Sequence, residues 1–467
     1  MSKLFIFGIG GTGSRVLRSL TMLLAAGVKI STDEIVPIII DPDNANADLT
    51  RAVALLNKYS AVRSNLHFSA DNPSQFFRTG VEQILPNYTL LIQDTDDKQF
   101  QEFISLPSMS RANQAMARML FSEKNLTSSM EVGFKGNPNI GSVVLNQIAH
   151  SDDFQSFANQ FGDGDRIFII SSIFGGTGAS GFPLLLKTLR EGRNFSNFQL
   201  INNAPIGAIT ILPYFKLEHD DTSEIDSSTF ISKAKSALAY YEKNIISHSS
   251  SSRGVDSLYF LADDIANTYQ NNEGGAAQQN DAHLIEFLAA SAIVDFTGSM
   301  PQPGTMSYEL GVKDLEGTVT FNSLYNKMRD MLYRPLVQFS LMTNAFTFNM
   351  DYFTSDSFNA NKGNFDNLYI SRFFNELCDF FELYRQWLGE LKNNKRSLDM
   401  FNLNTGNKPF ELVTDVAPRK IFSMYSDYTL FAARLNSAVS KCKSKDKEDK
   451  FLEMFYLGTD KLVSEKL

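Results

Sequence analysis

Cysteine is almost missing from this chain of 467 residues: Cys378 and Cys442 are its only two. Two are too few for a disulfide framework, and no CxxC pair or Cys/His cluster is spaced to hold zinc. A reducing, cytosolic compartment is expected. Basic excess is missing too. With 43 Lys and Arg against 52 Asp and Glu, the net charge of -9 argues against the broad cationic face that DNA or RNA binding needs, so no nucleic-acid partner is expected. No apolar run approaches the roughly 18 residues of a membrane span. The opening MSKLFIFGIGG passes from a short apolar run straight into a glycine turn without a cleavage-site pattern, and is expected to be a first strand rather than a targeting signal. Internal repeats and coiled-coil heptads are absent. What remains is a globular composition, 43% hydrophobic and 20% charged, on a chain long enough for two or three domains of roughly 100–200 residues each.

Hydrophobic periodicity sets out strands that alternate with helices. Strands are expected at 3–7, at 35–40, from 167 to a glycine turn near 175, at 205–212 and at 257–262. Val16, Leu17, Leu20, Leu23 and Leu24 recur at helical spacing, and further helices are expected at 142–149, 227–245 and about 280–296, with mostly helix between 45 and 129. Strands that end in polar loops and alternate with helices imply an α/β fold, a mostly parallel Rossmann-like sheet with helices on both faces. The helix near 280–296 is apolar around most of its circumference and should lie centrally.

The stretch 297–305, with two Pro and two Gly, is the expected boundary between a nucleotide-binding unit at 1–297 and a helix-rich C-terminal domain at 306–467. In that second domain a short strand is expected at 318–321, aromatic-rich helices at 324–342 and 370–391, and a polar loop at 351–364. The serine-rich segment 247–252 reads as a surface insertion. Asp94, Asp96 and Asp97 read as an acidic helix start. The run KCKSKDKEDK at 441–450 reads as a solvated helix face or linker.

Two glycine turns carry the chemistry. Residues 167–189, IFIISSIFGGTGASGFPLLLKTL, are strand, glycine-rich turn and helix in succession. Such a turn leaves backbone N–H groups open at the positive end of a helix, which suits an anion such as a phosphate. The N-terminal Gly8-Ile9-Gly10-Gly11-Thr12-Gly13 repeats the design. Its GxGxxG spacing, with Asp41 at the end of the next strand, also matches a dinucleotide-binding pattern, although Asp41 lies further on than the usual 20 or so residues. An NAD(P)-binding Rossmann-type enzyme is therefore the alternative.

Taken together, GGTG (10–13), DPDNA (41–45), GFKGNPNIG (133–141), GGTGASG (175–181) and LPYFKLE (212–218) resemble, in order, the nucleotide site of the tubulin and FtsZ family. The resemblance spans about the first 300 residues, and is that of a divergent prokaryotic-type member. Gly175-Gly176-Thr177-Gly178-Ala179-Ser180-Gly181 is similar to the family's GGGTG[ST]G loop, with Phe174 in place of its first Gly and two residues, Ala179 and Ser180, where the family has one.

The resemblance implies GTP or GDP, with Mg²⁺, held by Gly10, Gly11, Thr12, Gly13, Asp41 and Asp43, by Gly136 and Asn137 at the γ-phosphate, and by Gly175 through Ser180. It implies Glu218 at the sugar, Asp264 after the strand VDSLYFLADDI (255–265), and Asn280 at the base. The family stacks an aromatic on guanine four residues before such an Asn; here that position is Ala276, so ATP stays open and His283 is a substitute. The family also completes hydrolysis with an acid from the neighbouring subunit, for which Asp295 and Glu309 are the candidates. It thus implies a GTPase that assembles head to tail into filaments, or a scaffold that binds nucleotide without turnover. The aromatic second half is expected to offer a surface to a protein partner.

Overall fold

The computed structural model describes the chain except residues 1, 96, 131–132, 220–226, 247–253, 266, 271–273, 300–303, 314–316 and 420–425. The serine-rich segment 247–252 and Asp96 therefore lie outside the described residues, as do parts of the 133–141 loop's approach and of the 297–305 boundary.

The chain opens with β1 (Lys3–Ile9), α1 (Gly10–Ala25), β2 (Glu34–Ile40) and α2 (Ala47–Arg63). The two-residue strands β3 (Gly80–Val81) and β4 (Thr89–Leu90) follow, then α3 (Pro138–Val144) and α4 (Asp152–Gln160). Next come β5 (Arg166–Ser172), α5 (Gly176–Glu191), β6 (Ile206–Ile211), β7 (Lys216–Leu217), α6 (Phe230–Tyr241), β8 (Ser257–Leu261), β9 (Thr268–Tyr269), α7 (Leu284–Gly298) and β10 (Met306–Glu309). Four long helices complete it: α8 (Asn326–Phe348), α9 (Arg372–Asn393), α10 (Asp427–Val439) and α11 (Lys447–Lys466). The main sheet has eight strands in the order β10-β8-β6-β5-β1-β2-β3, with β4 also on β2, and its pairings are parallel. This is the expected α/β architecture with helix-rich C-terminal packing.

Strands that read as unbroken apolar runs are those covered on both faces. Leu4, Phe5, Ile6 and Phe7 of β1 and Ile167, Phe168, Ile169 and Ile170 of β5 are all buried. Neighbouring residues of a strand point to opposite faces, which fixes the helices: Gly8 lies against Gly13 and Leu17 of α1, whereas Ile9 lies against Gly181 of α5. So α1 and α5 cover opposite sides of the sheet. Central helix α7 buries every residue except Asp295 and Gly298, and packs on the α1 side through Phe296 over Gly207 and Phe168. No helix among the described residues is long and apolar enough to cross a membrane.

The second half shares this core. Phe339 of α8 meets Phe76 and Phe77 at ring distances of 5.5 and 5.8 Å, and Phe380 of α9 meets Phe77 at 4.9 Å. Four local expectations change. The stretch 318–321 forms one isolated bridge, Val319 to Leu398, because Thr320 caps a 3-10 turn by accepting from the Asn322 N–H. The expected polar loop at 351–364 buries Phe353, Phe358 and Ala360. Beyond α2, the expected helix gives way among the described residues of 64–99 to an irregular stretch that holds β3 and β4, and helix returns at Phe100–Phe103, Arg111–Leu120 and Glu123–Leu126. In the charge run, Asp449 turns inward and accepts from the His67 N–H at 3.1 Å.

Gly13 is required by contact rather than by its dihedrals: a β-carbon there would stand 2.3 Å from the Gly8 carbonyl carbon. Gly13→Ala should lower stability by about 3 kcal/mol or prevent folding, read from urea unfolding midpoints. Gly389→Ala, with nothing within 4 Å of the added carbon and a helix around it, should gain about 0.5–1 kcal/mol.

Candidate functional site

The C-terminal ends of β1, β2, β5 and β6 open onto one cavity of about 510 Å³, at the edge of an open α/β sheet where ligands gather. Two helices start at its floor. Each helix leaves its first N–H groups without intrahelical partners. At α1 the capping position is Ile9 and at α5 it is Gly175, and neither supplies a side-chain cap. Gly10, Gly11 and Thr12 from the first start and Gly175 through Gly178 from the second line the cavity. The loops touch: a β-carbon on Gly10, whose φ is +69°, would stand 3.5 Å from Thr177 Cβ.

A third loop closes on α5. A β-carbon on Gly176 would lie 3.1 Å from the backbone nitrogens of Gly136 and Asn137. Gly133, Lys135 and Gly136 of this loop have φ of +82°, +43° and +73°, and the left-handed backbone at Lys135 costs about 1–2 kcal/mol. Lys233 of α6 donates to the Gly136 carbonyl at 2.9 Å. Gly136 lines the cavity; Asn137 instead starts α3 and accepts from Asn125 at 3.2 Å.

Beneath the glycine turns lies a buried charge cluster. Arg15 of α1 donates to Glu286 of α7 at 2.5 Å, to Asp48 of α2 at 2.8 Å and to the Tyr214 hydroxyl at 3.4 Å. Burial works against the Arg15 charge, and Tyr214, Glu286 and Asp48 more than offset it, so its pKa is raised. Asp48 also accepts from the Asn280 backbone N–H and side-chain Nδ2, at 2.9 and 2.7 Å. Asp43 accepts from the Gly275 N–H at 2.7 Å, and Asp41 from the Asp43 N–H at 3.1 Å. Burial, with Asp43 and Asp48 nearby, lifts Asp41 to about 7.

The cavity's far end is aromatic and amide-rich. Phe174, Tyr214, Phe215, Phe230 and Tyr269 line it, together with Gln278, Gln279 and, from the end of α9 and beyond, Asn393, Asn394 and Lys395. His283 caps α7: its Nδ1 accepts from the Ile285 N–H at 3.0 Å, and its ring lies 4.8 Å from that of Tyr214. Burial and the charges of Arg15 and Arg396 depress it to about 3, so it is a neutral cap.

Of the other expected residues, Gly13 packs on Gly8 and Ala179 donates its N–H to the Gly175 carbonyl. Ser180 donates to the Gly176 carbonyl at 2.7 Å. These three support the turns from behind. Glu218, whose N–H bonds the Tyr269 carbonyl, and Asp264, after β8, are exposed and outside the cavity lining. Sequence reasoning passed over Arg15, Tyr269 and the end of α9. Arg15, two residues beyond the GGTG turn, was the one with a local signal.

Asp295 stands near the opposite end of α7, about 14 Å along the helix from Glu286 at 1.5 Å per residue. There Arg166, at the start of β5, binds the carbonyls of Phe296, Thr297 and Ser299. Asp295 accepts from the Tyr259 hydroxyl at 2.9 Å and pairs with Lys327 at 2.5 Å. Glu309 ends β10 beside Phe260, at the cavity's edge of the sheet but outside its lining.

No family model matches the sequence, and no curated protein does. Among solved structures the chain is similar to CetZ2 from Haloferax volcanii, a GTPγS-bound protofilament, at 15% identity and a TM-score of 0.31 over 64% of this chain and 58% of that one. It is similar to CetZ1 from Haloferax volcanii, a GDP-bound monomer, at 14% and 0.31 over 64% and 61%. It is also similar to CetZ from Methanosaeta thermophila strain DSM 6194, at 16% and 0.25 over 56% and 46%. This chain spans about half to three fifths of the length of those it matches. Similarity at this level carries no argument about this chain; what the cavity can hold follows from its own residues.

Asp41 gives a pH test. Its folded value of about 7 lies above the ordinary 3.8, so the fold prefers the neutral carboxyl. The stabilisation is complete below about pH 3.8 and is lost as pH rises through 7, by at most about 4 kcal/mol. Asp41→Asn should therefore gain on the wild type between pH 4 and 7.5 in urea midpoints. A difference that stays flat with pH contradicts this.

Proposed function

We propose that the cavity binds a nucleoside triphosphate, GTP, and that the protein hydrolyses it when copies associate head to tail in a filament. One observation carries the reading: two uncapped helix starts, from neighbouring strands β1 and β5, open side by side onto one cavity. Each offers several N–H donors and a positive dipole end to the same anion. Because Arg15 is already neutralised by Asp48 and Glu286, the phosphate grip is mainly backbone. The aromatic, amide-rich end suits a base and sugar.

Asp41 and Asp43, beside the glycine turns, have the hard oxygen donors that suit Mg²⁺ and are the residues that would hold it. Bound there with a triphosphate, the ion would supply charge neutralisation.

Asp295 supports the head-to-tail part of the reading. It lies towards the edge of the sheet opposite the cavity, too far to serve its own nucleotide, and in the proposed filament it would meet that of the next subunit. Its role is to orient or deprotonate the attacking water. The engagement of Asp295 by Tyr259 and Lys327 favours a second reading, a scaffold that binds nucleotide without turnover. We place the protein in the cytoplasm of a prokaryotic cell, and assign the aromatic-rich C-terminal half to partner contact.

Hydrolysis per protomer should rise steeply with protein concentration, together with GTP-dependent sedimentation. Asp295→Asn should cut turnover about 100-fold or more while GTP still binds. Binding without turnover at any concentration supports the scaffold. NAD(P), rather than a guanine nucleotide, released by heating the purified protein would contradict the reading and favour a Rossmann-type enzyme.

A further inference from the structure

Asn280, the residue expected at the base, lines the cavity and is also held from below. Its backbone N–H and side-chain Nδ2 both bond Asp48, and its carbonyl accepts from Arg51 at 2.9 Å. It brackets α2 to the segment entering α7, and one of its two Nδ2 hydrogens is engaged there.

The cavity end facing away from the glycine turns has another set of groups, brought there by the second half of the chain. Tyr269 lines the cavity, and its hydroxyl donates to Asn394 Oδ1 at 2.6 Å. Asn394 in turn donates through Nδ2 to the Ala282 carbonyl at 3.1 Å. The ring is thereby pinned at its hydroxyl to Asn394, which sits just beyond α9 and is itself tied to the start of α7. A fixed aromatic ring is a low-entropy platform for a flat ligand. Lys395 also lines the cavity. Its Nζ donates to the Thr268 carbonyl and stands 5.2 Å from the Tyr269 ring centroid. An ammonium has three N–H donors and no acceptor, so beyond Thr268 it retains donors for a ligand.

Resting on the nucleotide reading above, we infer that the base is read from the C-terminal half, by Lys395 donating to the 6-oxo oxygen of a purine seated at the Tyr269 platform. The chemistry selects between purines. Guanine presents two acceptors, N7 and O6, along one edge, whereas adenine presents N7 beside an amino donor. An ammonium bonds an oxo group and is repelled by an amino group, and a site built around a charged donor rejects the ligand that leaves the donor unanswered. The 2-amino group of guanine plays no part in this recognition.

Titration calorimetry of the full chain with GTP, ITP and ATP separates the cases, because inosine keeps the 6-oxo group and lacks the 2-amino group. Wild type should bind GTP and ITP within about threefold of each other, and ATP at least about tenfold more weakly. Lys395→Ala should weaken GTP and ITP by about tenfold and leave ATP nearly unchanged. Lys395→Arg should restore the preference. Lys395 is exposed, so these variants should fold, which the far-UV circular dichroism melt checks.

ITP as weak as ATP would assign recognition to the 1- and 2-position edge and overturn the inference. So would an unchanged GTP-to-ATP ratio in Lys395→Ala, or equal binding of all three nucleotides by wild type. Each of those outcomes leaves nucleotide binding standing. Wild type that binds none of the three overturns the nucleotide reading itself.

Discussion

The cavity depends on one buried charge. The Arg15 guanidinium joins α1 to Asp48 of α2 and Glu286 of α7, so the helix that begins at the first glycine turn is fixed to two others at its first turns. Removing one partner from such a cluster strands a charge in a low-dielectric interior, which costs about 3–5 kcal/mol. A second tier repeats the device: Glu390 of α9 pairs with Arg18 and Arg51 and accepts from the Ala282 N–H at 2.9 Å. The end of α9 thus reaches the cavity because carboxylates and guanidinia hold α1, α2, α7 and α9 in register.

This arrangement divides labour between backbone and side chains. The charge of Arg15 is consumed in positioning the elements, and in the proposed function the anion would be left mainly to N–H groups at two helix starts. Backbone donors held by regular helices need no reordering when charge accumulates on a phosphate, which is the condition for effective electrostatic stabilisation. The same helix α7 that presents Glu286 beneath the cavity carries Asp295 towards the opposite edge of the sheet. A polar head-to-tail contact would bring the two ends together, and Lys327 must release Asp295 for that acid to act.

The glycine turns were legible in the sequence because only glycine tolerates the contacts made there, as between Gly8 and Gly13, and such requirements leave a local trace. The strands were legible because both faces are covered, which produces unbroken apolar runs. The charge cluster left no such trace: Arg15 and Glu286 are 271 positions apart, and nothing in the spacing of either indicates the other. The bonds of Asn280 to Asp48 were hidden for the same reason, since the two residues are 232 positions apart. The irregular stretch beyond α2 follows its tertiary contacts: Phe76 and Phe77 pack on Phe339 of α8, and local helical preference yields to that burial.

The central claim is that two helix starts share one phosphate-bearing ligand. An experimental structure with a non-hydrolysable GTP analogue tests it directly. Phosphate oxygens should lie about 2.7–3.2 Å from backbone nitrogens of both the 10–13 turn and the 175–178 turn. Phosphates bound to one turn alone, or analogue density outside this cavity, would contradict it.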